Sequence, residues 1–73
     1  MRSAGTIRER LFQALIKRYQ AEGETALVKI DALLRGEVLP GHEDVIGSID
    51  KQIAKVAFSE EKMATLRRHY GTN

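Results

Sequence analysis

Apolar residues recur at the three- and four-residue spacing of an amphipathic helix along most of the chain. The pattern predicts a first helix over about residues 7–22. Thr6 and Glu9 have the spacing of a capping box, in which each side chain accepts a hydrogen bond from the other residue's backbone N–H. Gly23 is expected to end this helix, and Gly36 the next one, because glycine adopts a left-handed conformation without steric cost.

The rest of the chain predicts three further helices. The second is expected over about residues 25–35, where the apolar spacing favours a helix over a strand. Pro40 then interrupts the pattern, because proline lacks a backbone donor and disfavours helix in the residue before it. A third helix is predicted over about residues 44–57, and its narrow apolar stripe is expected to face the core. The stripe consists of Val45, Ile46, Ile49, Ile53, Val56 and Ala57. Ser59 is expected to cap a short fourth helix over residues 59–70.

These elements predict an all-α fold, a compact bundle of three to four short helices in one domain spanning residues 1–73. Residues 1–5 and 71–73 are expected to be flexible ends, and residues 36–43 a loop. A chain of 73 residues can bury only a modest core, so little interior is left for an enclosed pocket. We therefore expect the protein to act through its surface.

The composition of the chain indicates the cellular compartment in which it is expected to work. The chain has no cysteine, which excludes disulfides and thiolate metal sites and favours a reducing cytoplasm. No apolar run approaches the roughly 20 residues that span a bilayer, so no membrane association is expected. If the protein is viral, the compartment would be the host cytoplasm.

Charge is distributed unevenly along the chain. The formal charge is +4 over residues 1–20, −5 over residues 21–50 and +3 over residues 51–73, which sum to the net +2. This distribution is compatible with internal charge balance on a solvated surface. It is also compatible with a surface that has separate positive and negative regions and docks on a protein partner. A dedicated nucleic-acid-binding protein would be more uniformly basic.

No pattern of residues indicates catalysis. The serines lack a neighbouring base and orienting group, and the six glycines are dispersed rather than gathered in a phosphate-binding loop. His42 and His69 are far apart in sequence and lack the spacing of metal ligands. We expect a protein that is not an enzyme and that has no cofactor and no metal.

Seven residues are candidates for binding a protein partner. Two arginines fall inside the broad apolar arc of the first helix, where they either extend to water or take part in an interface. Two apolar residues of the long loop either cover the core or form an exposed anchor. The basic end of the chain could also contact nucleic acid without sequence specificity. The candidates are Arg8, Phe12, Arg18, Val38, Leu39, Arg67 and Arg68.

A DNA-binding helix-turn-helix is one alternative function. The predicted turn around Phe58 has a suitable length, but the helix after it would begin with Glu60 and Glu61, which DNA phosphates repel. Its basic residues would lie at the far end of that helix. A structural or assembly protein of a virus is a further alternative.

In overall length, absence of cysteine, split charge and short basic segments at residues 1–3 and 67–73, the chain resembles small transcription regulators that bacteriophages make to take over host RNA polymerase. The resemblance implies a cytoplasmic protein that binds an exposed segment of a large subunit of bacterial RNA polymerase. We expect the chain to be a monomer. Such a protein would inhibit initiation or alter termination.

Overall fold

The computed structural model describes residues 5–40 and 44–71, and within them the chain forms two long helices. Helix α1 spans Ile7–Leu34 and helix α2 spans Val45–Tyr70, and the two pack against each other as an antiparallel hairpin. The all-α prediction is confirmed, since no strand occurs in these residues. The prediction of three to four short helices is wrong. Residues 1–4, 41–43 and 72–73, which include parts of the predicted flexible ends and loop, lie outside the described residues.

Both helices begin at capped N-termini. At α1 the Glu9 backbone N–H donates to Thr6 Oγ1 at 3.1 Å, and the Thr6 backbone N–H donates to Glu9 Oε1 at 2.9 Å. The capping box predicted from the sequence is therefore confirmed. At α2 the Asp44 carboxylate accepts a hydrogen bond from the Gly47 N–H at 2.6 Å. Each cap satisfies a donor that the first helical turn would otherwise leave unpaired.

The two helices meet along a seam in which spacings of four and three residues alternate. This is the seven-residue repeat of a coiled coil, which keeps one stripe of each helix facing its neighbour. Most of the seam residues are buried or half-buried. On α1 they are Phe12, Ile16, Tyr19, Gly23, Ala26, Ile30 and Leu33; on α2 they are Val45, Ile49, Gln52, Val56, Ser59, Met63, Leu66 and Tyr70.

Gly23 and Ser59 lie in the middle of the seam, inside two continuous helices rather than at the ends of shorter ones. A Cβ atom added to Gly23 would lie 2.6 Å from Ser59 Oγ, so the two backbones approach closely at this point. Both residues are buried. The Ser59 hydroxyl donates to the Val56 carbonyl at 2.8 Å, one turn earlier in the same helix, instead of capping a new one. The predicted breaks at Gly23 and Ser59 are wrong because these residues serve helix packing.

The predicted turn around Phe58 is likewise not present, since α2 runs without interruption from Val45 to Tyr70. Phe58 is 65% exposed on the outer side of this helix. The helix-turn-helix alternative depended on that turn. The hairpin therefore offers no short recognition helix beginning at residue 59.

The connection between the helices is fixed at both of its described ends. Gly36 has a φ of +73°, and its N–H and that of Glu37 donate to the carbonyls of Leu33 and Ala32. This paired arrangement is a Schellman motif, and it confirms that Gly36 ends a helix. Further on, the Ser48 hydroxyl donates to the Pro40 carbonyl at 2.7 Å and holds the connection against α2.

The hairpin is elongated and has a thin core. Its principal dimensions are 51 × 25 × 18 Å, and its radius of gyration is 16.2 Å. A compact chain of this length would have a radius of roughly 11 Å. The buried apolar side chains are Ile16, Ala26, Ile30 and Leu33. Over the described residues neither helix is long and apolar enough to cross a membrane.

Candidate functional site

An open groove lies at the end of the hairpin where α1 begins and α2 ends, and we call it the terminal groove. In the antiparallel register, Phe12 lies level with Tyr70, the last residue of α2. The first turn of α1 therefore extends past its neighbour. Ile7, Leu11 and Tyr70 remain 71%, 61% and 59% exposed. The groove has an apolar floor that includes Leu11, Phe12, Leu15, Leu66 and Tyr70.

Three of the seven candidate residues predicted from the sequence come together in this groove. Phe12 contributes to the floor and is half-buried, while Arg8 and Arg67 are exposed and line the groove from opposite helices. Two guanidinium groups beside an apolar floor suit a partner segment that combines apolar and acidic side chains. Arg67 is more than fifty positions from Arg8 and Phe12 in sequence, and only the antiparallel hairpin brings it to their end of the molecule.

The other two candidate arginines lie away from the groove lining. Arg18 Nε pairs with Glu22 Oε2 at 3.3 Å on the surface of α1. Glu22 also approaches Lys62 Nζ at 3.7 Å, and this ammonium group lies 5.3 Å from the centre of the Tyr19 ring. Arg18 therefore belongs to a local charge network that links the two helices. Arg68 is exposed.

Val38 and Leu39 lie at the opposite end of the molecule. With Pro40 they border a shallow pocket whose other walls are Lys29 and Leu33 of α1 and Ser48 and Gln52 of α2. Leu39 is 91% exposed and Val38 is 48% exposed. Neither residue covers the core as a closed lid. The candidate residues are thus divided between two ends of the hairpin and do not form one site.

An apolar patch that the sequence did not indicate lies on one side of the loop half of the hairpin. Glu22 and Lys62 each directly precede a seam residue, and their pairing marks one side of the hairpin. Residues that directly follow seam positions lie on the other side. Four large apolar residues occupy such positions there and are between 44% and 79% exposed. They are Leu27, Leu34, Ile46 and Ile53, and we call them the apolar patch.

Two members of this patch correct an expectation about the core. Ile46 and Ile53 fit the apolar stripe of a predicted third helix, but they are 79% and 49% exposed. The apolar residues of this stripe, spaced at 3.6 residues per turn, cover more of the helix surface than a single neighbouring helix can bury. With one partner helix instead of two or three, only Val45, Ile49 and Val56 of that stripe belong to the seam.

Comparison of the chain with protein-family models, with curated proteins and with solved structures gave no match. The candidate surfaces therefore rest on the geometry of this hairpin alone. Among residues 5–40 and 44–71, no three histidine, aspartate or glutamate side chains are grouped so that they could hold a metal ion.

Proposed function

We propose that this chain is a small regulatory protein, without enzymatic activity, that docks on a large host complex through the terminal groove. The observation that supports this proposal is the exposed apolar end of the hairpin. Ile7, Leu11 and Tyr70 lie open to solvent beside Arg8 and Arg67. Clustered exposed apolar side chains next to arginines are typical of protein interfaces.

Bacterial RNA polymerase is the first candidate for the complex, because of the whole-chain resemblance to small phage regulators. The groove would take an apolar segment with acidic neighbours on a large polymerase subunit. Occupying such a segment would obstruct its use by an initiation or elongation factor, and the protein would thereby change transcription.

A capture experiment with purified bacterial RNA polymerase tests the proposal. The chain is immobilised, and retention of polymerase is compared for the wild type and two charge reversals, Arg8→Glu and Arg18→Glu. Both arginines lie on α1, but only Arg8 lines the groove. We expect retention by the wild type and by Arg18→Glu, and a loss of about tenfold in affinity for Arg8→Glu.

An apolar pair of variants provides a second control. Leu11 is 61% exposed in the groove, and Val28 is 65% exposed on the outer face of α1. We expect Leu11→Ser to weaken retention and Val28→Ser to leave it unchanged. Equal effects within each pair would exclude the groove as the docking site. No retention of polymerase by the wild type would exclude this partner.

A further inference from the structure

We infer that the side of the hairpin carrying the apolar patch binds a second copy of the chain, in an antiparallel, two-fold symmetric pair. Three features identify the partner. They are the amount of surface that the hairpin leaves exposed, the order of charges along α1, and the apolar residues of that side. This inference does not rest on binding to RNA polymerase, although its contact includes Gln13 and Arg67, which also line the terminal groove.

The first feature is the surface that remains open. A compact protein of 8.2 kDa exposes roughly 4,500 Å². This chain exposes 5963 Å². The excess is larger than the roughly 800 Å² that each partner buries in an interface of standard size. A second hairpin can therefore cover the patch and convert two thin seams into one four-helix core.

The second feature is a column of four charged residues beside the patch. Arg10, Lys17, Glu24 and Asp31 are spaced by seven residues, so they form one line along α1 next to Leu27 and Leu34. Their order is two positive charges followed by two negative charges. All four are exposed, and none forms an ion pair with another described residue.

This order of charges is self-complementary only in an antiparallel arrangement. A two-fold axis at the level between Gln20 and Ala21, midway along Ile7–Leu34, places α1 of one copy antiparallel on α1 of the other. Lys17 of each copy then lies level with Glu24 of its partner, and Arg10 with Asp31. A parallel arrangement would set like charges against each other.

The same axis covers most of the apolar patch. It places the row of Leu27 and Ile53 of one copy over Gln13 and Arg67 of the other, whose aliphatic stems can pack against apolar side chains. The contact is isologous, so each copy covers Leu27, Leu34 and Ile53 of its partner, while Ile46 lies beyond the end of the partner's α2.

Sedimentation equilibrium over a series of protein concentrations tests the association. We expect a monomer–dimer equilibrium for the wild type. Lys17→Glu alone and Glu24→Lys alone should each raise the dissociation constant by about tenfold, because each creates two like-charge contacts per dimer. The double variant Lys17→Glu/Glu24→Lys should restore the wild-type value, because the exchanged charges again face each other.

Leu34→Lys tests the contribution of the apolar patch, and Val28→Lys is its matched control. The two residues are 68% and 65% exposed on the same helix, but only Leu34 belongs to the patch. We expect Leu34→Lys to shift the equilibrium to monomer and Val28→Lys to leave it unchanged. Circular dichroism confirms that each variant remains helical.

Three results would each overturn the inference. They are a wild type that stays monomeric at every concentration, a double charge variant that fails to recover, and a dimer unaffected by Leu34→Lys. All three can be obtained without polymerase, so they are distinguishable from failure of the proposed function.

Discussion

Single residues at the middle of the seam determine how closely the two helices pack. Gly23 lies against Ser59, and no methyl group fits between them without movement of the serine hydroxyl or of the helices. Two layers further along the seam, Gln52 places a polar side chain among residues that are mostly apolar. Within the described residues its buried Oε1 atom has no hydrogen-bond partner. We expect a larger residue at position 23 to lower the stability of the hairpin and an apolar residue at position 52 to raise it.

Gly23→Val should destabilise the hairpin. The added side chain would force the helices apart at their closest point, and we expect a loss of about 2 kcal/mol in the free energy of unfolding. Urea denaturation followed by circular dichroism measures it. Ala21→Val is the control, because Ala21 is exposed on the same helix and should lose only about 0.5 kcal/mol through helix propensity. Equal losses in the two variants would contradict the close packing.

Gln52→Leu should stabilise the hairpin by about 1 kcal/mol. The substitution removes a buried acceptor without a partner and adds apolar contact opposite Ile30. The same denaturation experiment measures the change. A lower stability would mean that the Gln52 side chain makes a hydrogen bond that is worth more than the apolar contact of leucine.

At the scale of elements, the ends of the helices were predictable from the sequence and their continuity was not. Thr6, Glu9 and Gly36 act locally, so the capping box and the end of α1 follow from short motifs. Gly23 and Ser59 have the same local preferences as residues that end or begin helices. Their role depends on the residue across the seam, and local sequence does not contain that information.

The candidate site was predictable to a similar extent. The sequence indicates Arg8, Phe12 and Arg67 individually as candidates for binding a partner, but their common location follows only from the antiparallel register. The apolar spacing of the predicted third helix places Ile46 and Ile53 on its core-facing stripe, but both are exposed. The seven-residue spacing of the seam residues was the feature that could have revealed a two-helix hairpin.

Thr6→Ala should loosen the start of α1. The substitution removes the hydroxyl that accepts the Glu9 N–H, and we expect a loss of about 1 kcal/mol. Hydrogen exchange should rise most in the first turn, which also forms part of the terminal groove. Thr25→Ala, at an exposed position within the same helix, should not lower stability. If Thr6→Ala leaves exchange in the first turn unchanged, the capping box is not a determinant of this end.

The whole molecule is a rod with exposed apolar side chains at both ends, and its shape is measurable in solution. We expect small-angle X-ray scattering of the Leu34→Lys variant to give a radius of gyration near 16.2 Å. A compact bundle of several short helices would give roughly 11 Å. For the wild type, an antiparallel pair should keep its longest dimension near the 51 Å of one hairpin, because the two helices α1 overlap along their whole length. A doubled length would indicate an end-to-end contact instead.

The close contact between Gly23 and Ser59 also restricts how such a sequence can diverge. A larger side chain at position 23 can be accommodated only if position 59 becomes smaller, and a larger side chain at position 59 has no such compensation because Gly23 is already the smallest residue. The two positions should therefore covary among any descendants that keep this hairpin. Charge exchange between Lys17 and Glu24 should leave that coupling untouched, because those residues lie outside the seam. Evolutionary drift in the outer surface and in the seam would then proceed independently.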